Sequence, residues 1–456
     1  MEEESLMIRP FKRPLKSTLT LPGSKSITNR ALILGALSNG PLVLEGALFS
    51  RDTLIMIEAL KALGFELEGN QADSRLKIVG LSSQIPNKTA SIHVGNAGTA
   101  ARFLTAFLAL QKGGTYELDG DPQMHDRPIQ GLLEALEALG AANFIFHKKP
   151  GHFPFRMSTN GIARDFAQVD ASASSQILSA LLLVLPSAGL DLKLLCPNVR
   201  PAYVSVTEAT KKGFGIKTTQ DDSGTYFINS ETYQTPETGT YVIEPDLSAA
   251  SYFLALSLLH GGQLDIQNIP EEPIQGDAEF ANILKQHGLK VDSINQNWRV
   301  QRTNTRNLNS IHQELNFNLF SDTFLTYAAI TPLINKSVLI TGIGHTRLQE
   351  TDRVAAMAKE LKKLGQKVRE SESSLEIISD IPALKNIAQE ARASKATIEI
   401  DTYEDHRFAM SFAILGTYDL LEDGKPWLSI KNPRCCGKTF PGFFQALDLI
   451  RNESER

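Results

Sequence analysis

Seven cations stand at or near polar openings of apolar runs: Lys25, Arg30, Arg102, Arg127, Arg353, Arg407 and Lys438. The first opening, Leu21-Pro22-Gly23-Ser24-Lys25-Ser26-Ile27-Thr28-Asn29-Arg30, sets a Pro-Gly break and two serines before the apolar run 31–37. Pro and Gly end what precedes, and Ser24 or Ser26 is a good N-cap for a helix. A helix start offers unpaired N–H groups and a partial positive charge, so Lys25 and Arg30 complete a site for a phosphate or carboxylate. Ser26 and Arg30 are four apart and face the same side. The stretch is not a phosphate-cradling P-loop: Ser24 precedes Lys25 where that motif needs Gly, and Leu19 occupies the position of its earlier Gly.

Arginine at a helix start opposes the macrodipole preference, which makes sense where an anion binds. Any one of these arginines also reads as an ordinary solvated residue; together they point to substrates with several negative charges. Two carboxylates stand among them. Asp322 opens an apolar run, and Glu350 lies three residues before Arg353 in Gln349-Glu350-Thr351-Asp352-Arg353. A carboxylate among cations stays ionised and serves as a base, and a desolvated one can carry a proton. Glu350 equally reads as a first-turn glutamate complementing a helix dipole.

The remaining composition narrows the class. A chain of 456 residues with net charge −5 is too long for one ordinary core and too acidic for general nucleic-acid binding. The start, Met1-Glu2-Glu3-Glu4-Ser5, lacks the apolar region of a signal peptide, and the longest apolar stretch, near 177–185, is too short to span a bilayer. Three cysteines make no disulfide framework, and the nine histidines form no metal motif, so a cytoplasmic protein without metal is expected.

These residues must be positioned by a repeated element. Helices over 56–63, 132–139, 207–212, 280–287 and 357–364 each run into a stop at Gly64, Gly140, Gly213 with Gly215, Gly288 and Gly365, roughly every 75 residues. A sixth apolar helix covers 443–450. Several stops are followed by period-two segments around polar turns, as in 65–68 with 76–79 and 367–368 with 375–378, which read as hairpins. A second helix type precedes each first one. Its openings are Ser24-Lys25-Ser26, Asn96-Ala97-Gly98-Thr99, Ser172-Ala173-Ser174-Ser175-Gln176, Asp246-Leu247-Ser248, Ser321-Asp322-Thr323 and Glu404-Asp405-His406-Arg407. The openings are rich in capping residues, and the bodies are apolar nearly all round, hence buried. The unit is strand, buried helix, strand, outer helix, hairpin. Six copies make an α/β protein, closed as one ring or split as two sets of three.

Several of these stretches resemble the 5-enolpyruvylshikimate-3-phosphate synthases. They are the first opening, Gly95-Asn96-Ala97-Gly98-Thr99-Ala100, Arg127-Pro128-Ile129, Ser174-Ser175-Gln176, Ala250-Ser251-Tyr252-Phe253, Glu350-Thr351-Asp352-Arg353, Tyr403-Glu404-Asp405-His406-Arg407 and Lys438-Thr439-Phe440-Pro441, in order and nearly end to end. The resemblance implies an inside-out α/β barrel: two domains, each of three βαβαββ units. The expected domains are 1–22 plus 245–456, and 23–244, with crossovers near 22–23 and 244–245. It implies transfer of the enolpyruvyl group of phosphoenolpyruvate to the 5-hydroxyl of shikimate 3-phosphate. Phosphate leaves by addition and elimination through a tetrahedral intermediate, without metal or cofactor. Helix starts facing a cleft that closes on the first substrate, and a monomer, are expected.

By motif, the resemblance assigns Lys25, Asn96, Gly98, Arg127, Gln176, Arg353, Arg407 and Lys438 to phosphoenolpyruvate. It assigns Lys25, Ser26, Arg30, Ser174, Ser175, Gln176, Arg200, Asp322 and Gln349 to shikimate 3-phosphate. Asp322 is then the base at the 5-hydroxyl, Glu350 the proton donor to the methylene carbon, and Lys25 the group that neutralises the leaving phosphate. Unsubstituted Gly98 leaves room for glyphosate-type inhibitors. The chain departs from the family in three places. Gln349 replaces a lysine, with Arg347 two residues earlier. His345 stands where many members have Asn. Arg200-Pro201-Ala202-Tyr203 lacks the family's serine, so either Arg200 takes its contact or the alignment shifts by one. Two other readings are a UDP-N-acetylglucosamine enolpyruvyl transferase on the same fold and a non-catalytic anion-binding relative. Ser26, Arg30 and the absence of a reactive-cysteine loop near Arg127 weigh against the former.

Overall fold

The computed structural model describes residues 4–302 and 312–456. Met1, Glu2 and Glu3, part of the segment in which no leader is expected, lie outside the described residues. The chain divides into two compact units, Met1–Pro22 with Pro245–Arg456, and Gly23–Glu244.

Each unit is built from three small sheets and three buried helices. The sheet of Thr89–His93, Lys112–Asp119, Phe155–Asn160 and Ala142–Phe146 shows the pattern. Its first two strands run parallel, with His93 opposite Asp119. The hairpin then pairs antiparallel, with Leu118 opposite Phe155 and Phe146 opposite Phe155 on the other side. The buried helix Gly98–Leu108 connects the parallel strands, and the outer helix Gln130–Ala138 leads into the hairpin.

The buried helices are Lys25–Leu37, Gly98–Leu108 and Ser175–Val184 in one unit, and Leu247–His260, Phe324–Ile334 and His406–Gly416 in the other. Their bodies are buried on nearly every side, as expected of helices apolar all round. Each buried leucine of these cores contributes about 1.5–3 kcal/mol of transfer free energy. Side-chain capping holds for four openings. Ser24, Ser174, Asp246 and Asp405 accept from backbone N–H groups of the first turn. At the second and fifth openings the cap positions are Ala97 and Thr323, with no side-chain cap bond.

The glycine stops at Gly64, Gly140, Gly288 and Gly365 are left-handed, with φ of 93°, 67°, 86° and 78°. After Pro201–Lys212 the left-handed residue is Gly215, and Gly213 remains in the right-handed region as the cap. The sixth copy also differs from the expected unit. Ile398–Ile400 and Leu428–Lys431 pair in parallel, and the third strand is the N-terminal Ser5–Met7 instead of a hairpin. An additional helix, Ile381–Ala393, precedes this copy.

The two crossovers are each tied inside one unit. Ser24 N donates to Glu244 O at 2.8 Å, and Asp246 N donates to Pro22 O at 2.9 Å. Gly23 permits the first: a Cβ there would lie 1.8 Å from the Gly46 carbonyl oxygen. Among the described residues, no helix is long and apolar enough to cross a membrane.

Candidate active site

In the unit containing Pro245–Arg456, the starts of two buried helices, at Asp322 and Asp405, meet at Arg353. This arginine opens the outer helix Arg353–Lys363, yet its side chain is only 1% exposed. Its Nη1 donates to Asp322 at 2.9 Å, its Nη2 to Glu350 at 2.9 Å and its Nε to Asp405 at 2.7 Å. Gln349 Oε1 also accepts from Nη1. Burial by itself disfavours the charge, but Asp405, Glu350 and Asp322 more than offset this and hold the guanidinium above its ordinary pKa.

Both candidate acid–base groups share their cations. Asp322, in the 3-10 turn Ser321–Thr323, is gripped on its other oxygen by Arg407 Nη2 at 2.7 Å. Glu350 receives Lys438 Nζ at 2.9 Å on the oxygen that Arg353 leaves free. Arg407 Nη1 reaches Tyr252 Oη at 3.4 Å, which brings in the third helix. Glu350 precedes the helix that Asp352 caps, so its contact with Arg353 comes from the loop and not from a first-turn position.

Gln349 accepts where a lysine could only donate. Arg347 does not supply the missing cation at that spot. It is committed to Asp352 at 2.8 Å, to Glu370 at 2.9 Å and to the carbonyls of Ser371 and Glu372. His345 Nε2 lies 2.8 Å from Ser321 Oγ, beside Asp322.

In the unit Gly23–Glu244, Lys25 Nζ lies 3.5 Å from Asp52, a buried carboxylate in the first turn of Arg51–Ala62. Ser26 and Arg30 do share a face: Arg30 Nη1 donates to Ser26 Oγ at 2.6 Å. The rest of Arg30 is spent on Thr207 Oγ1 and Tyr203 O, with Phe103 under the guanidinium, and burial lowers its pKa to about 10. Arg127 Nη1 donates to Asn96 O at 3.0 Å and Asn96 Oδ1 at 2.9 Å. Its buried Nε has no hydrogen-bond partner among the described residues.

Gly98 lies between two arginines, since a Cβ there would meet Arg127 Nη2 at 2.6 Å and Arg102 Nη1 at 2.8 Å. Arg102 bonds Gly98 O at 2.9 Å and Gln176 Oε1 at 3.1 Å, which joins the second and third helix starts. Ser174 caps the third, Ser175 is buried beside it, and Arg200 Nη1 donates to Ser172 O at 3.0 Å in the same opening.

The geometry also places groups that the motifs left unassigned. Asp52 and Asp405 are the counter-charges of Lys25 and Arg353, Arg102 orients Gln176, and Tyr252 steadies Arg407. Asp405 and Tyr252 lie inside stretches that were already conspicuous; Asp52 carries no local signal. Among the described residues, no group of three or more His, Cys, Asp or Glu is placed to hold a metal ion.

Residues 11–447 match the profile of the family described as EPSP synthase (3-phosphoshikimate 1-carboxyvinyltransferase). The chain belongs to the EPSP synthase family. A 3-phosphoshikimate 1-carboxyvinyltransferase of Opitutus terrae is 44% identical over 454 residues, covering 98% of each chain. One of Nostoc punctiforme is 34% identical over 444 residues, covering 97% of this chain and 98% of its own. In fold, the chain is similar to the EPSP synthase of Acinetobacter baumannii, with a TM-score of 0.76 over 97% of each chain at 22% identity. The two-domain inside-out α/β fold is that of this family.

Proposed function

We propose that this chain is an enolpyruvyl transferase. It joins phosphoenolpyruvate to the 5-hydroxyl of shikimate 3-phosphate and releases phosphate, a step of aromatic amino acid biosynthesis. Family membership supports the reaction. The observation that carries the residue assignment is the pairing of Asp322 and Glu350 through shared cations. Arg353 and Arg407 flank the one, and Arg353 and Lys438 flank the other. Both are carboxylates in reach of the groups assigned to phosphoenolpyruvate, so base and acid are set within one charged cluster.

In the addition step, Asp322 takes the proton of the 5-hydroxyl as its oxygen bonds to C2 of phosphoenolpyruvate, and Glu350 gives a proton to the methylene carbon. In the elimination step, that carbon returns a proton to Glu350, now ionised, and the phosphate leaves, its charge met by Lys25. Arg353, Arg407 and Lys438 hold phosphoenolpyruvate with Asn96, Gly98, Arg127 and Gln176. The partly unpaired Arg127 supports that role. Ser26, Arg30, Ser174, Ser175, Gln176, Arg200 and Gln349 take shikimate 3-phosphate. The unit Gly23–Glu244 serves mainly shikimate 3-phosphate, and the other unit mainly phosphoenolpyruvate. The enzyme is read as a cytoplasmic monomer.

Phosphate release from phosphoenolpyruvate, measured with each acceptor, tests the proposal. Release with shikimate 3-phosphate is expected. Release with UDP-N-acetylglucosamine alone would overturn the acceptor, and release with neither would overturn catalysis.

A further inference from the structure

The turn that delivers Asp405 has a left-handed backbone, and two residues without a role in the assignments above, Tyr403 and Glu360, grip it. Tyr403 and Glu404 are consecutive, neither is glycine, and their φ values are 52° and 57°. A side chain strains that region, and such a backbone persists only where its surroundings over-determine it. Here they do. Tyr403 N donates to Asp401 Oδ1 at 3.0 Å, and Asp405 N donates to Thr402 O at 2.8 Å. The Tyr403 ring packs edge-on against Phe408 of the buried helix His406–Gly416. Its hydroxyl donates to Glu360 Oε1 at 2.6 Å.

Glu360 is fully buried, and its other oxygen accepts from Lys363 Nζ at 2.5 Å and from Asp401 N at 3.3 Å. One carboxylate thus holds the turn at both Asp401 and Tyr403. Glu360 also lies two helical turns after Arg353, on the same buried face of Arg353–Lys363. This outer helix therefore meets the turn twice, through Glu360 at Tyr403 and through Arg353 Nε at Asp405 Oδ2, 2.7 Å away. Asp405 Oδ1 accepts from Arg407 N at 2.9 Å and so fixes the helix start from which Arg407 grips Asp322.

We propose that Tyr403 and Glu360 are positioning residues. Their hydrogen bond holds the left-handed turn that sets Asp405 against Arg353 and aims Arg407 at Asp322. They act through Asp405 and touch no substrate. This inference rests on the reaction proposed above.

The test is steady-state kinetics of the full chain with each substrate varied in turn. Tyr403→Phe removes one hydroxyl and leaves Glu360 its bonds to Lys363 and Asp401. The KM for phosphoenolpyruvate should rise about tenfold, because Arg353 and Arg407 lose alignment, while that for shikimate 3-phosphate stays within about twofold. A mere loss of folded protein would lower kcat and leave both KM values, so this split separates positioning from stability. Adding Glu404→Gly should recover about half of the loss or more, since glycine takes positive φ freely. A double variant no better than Tyr403→Phe would overturn the role of the left-handed turn. Glu360→Gln keeps a weaker, neutral acceptor for the same hydroxyl and should raise the same KM about threefold. An unchanged KM for phosphoenolpyruvate in Tyr403→Phe would overturn the inference, as would an unchanged KM in Glu360→Gln should Tyr403→Phe fail to fold.

Hydrogen exchange over residues 401–408 gives a readout without turnover. The amides of Asp405 and Arg407, bonded to Thr402 O and Asp405 Oδ1, should exchange about tenfold faster in Tyr403→Phe. Exchange unmoved in Tyr403→Phe overturns the inference whether or not phosphate is released. Faster exchange in a protein that releases no phosphate supports the hold on the turn and overturns the reaction. Failure of the one is thereby separated from failure of the other.

Discussion

Replacing Arg353 by Met removes the cation on which Asp322, Glu350 and Asp405 converge. The loss falls unevenly. Asp322 keeps Arg407 at 2.7 Å, and Glu350 keeps Lys438 at 2.9 Å. Asp405 is fully buried and loses its guanidinium, retaining the Arg407 backbone N–H at 2.9 Å. Breaking a buried pair and leaving one charge behind costs about 3–5 kcal/mol. Against a total stability of about 5–15 kcal/mol, this is enough to unfold a large fraction of the unit. Arg353→Lys keeps the charge but not the fork and should lose about 1–3 kcal/mol. Urea unfolding of the single variants and of Arg353→Met with Asp405→Asn closes a double-mutant cycle. The double variant should be more stable than additivity predicts by at least about 1 kcal/mol. A loss under about 1 kcal/mol in Arg353→Met, with an additive cycle, would refute the reasoning. In the soluble Arg353→Lys variant, kcat/KM for phosphoenolpyruvate should fall about a hundredfold or more, since a bidentate contact with an anion is lost.

Three further substitutions follow from the same geometry. Lys25→Met should lower kcat by about 10²–10³ because the leaving phosphate loses its counter-charge. It should cost about 1–3 kcal/mol in chemical unfolding because buried Asp52 loses its partner. Wild-type turnover would remove Lys25 from the mechanism. Gln349→Lys gives up the bond to Arg353 but adds a cation where Arg353, Arg407 and Lys438 face Asp322, Glu350 and Asp405. The KM for phosphoenolpyruvate should fall, at about 1 kcal/mol of stability; an unchanged or raised KM would show that charge is not limiting there. Gly98→Ala pushes a methyl against the far ends of Arg127 and Arg102, which are flexible enough to yield. Thermal stability should change little while the KM for phosphoenolpyruvate rises, and an unchanged KM would show that the position of Arg127 is immaterial.

What the sequence disclosed was what local chemistry decides. A left-handed residue after a helix favours glycine, so Gly64, Gly140, Gly288 and Gly365 mark their stops without help from the rest of the chain. The buried helices were legible because an all-round apolar body cannot face water. Pairings between distant segments left no such trace. Ser5–Met7 completes a sheet with Leu428–Lys431, and Thr240–Val242 pairs in parallel with Asn39–Glu45. Nothing in three strand residues states which edge they will join. The same limit governs the site: cations at helix starts, with Asp322 and Glu350 among them, could be seen, but Asp52 facing Lys25 and Asp405 facing Arg353 could not, because those pairs meet only after packing.

The position of Lys25 shows how these two kinds of information combine. Its residue type and the Ser24 cap are local, and they make a helix start that attracts an anion. Where that start points is not local. Ser24 N is held by Glu244 O, at the far end of the same unit, and Gly23 can pass Gly46 only because it has no side chain. The strand that brings the chain to Glu244 is Thr240–Val242, which closes the first sheet on Asn39–Glu45. The lysine is therefore aimed by the closure of its own unit, two residues after Gly23 of the crossover. A side chain on Gly23 would displace Lys25 without touching its chemistry.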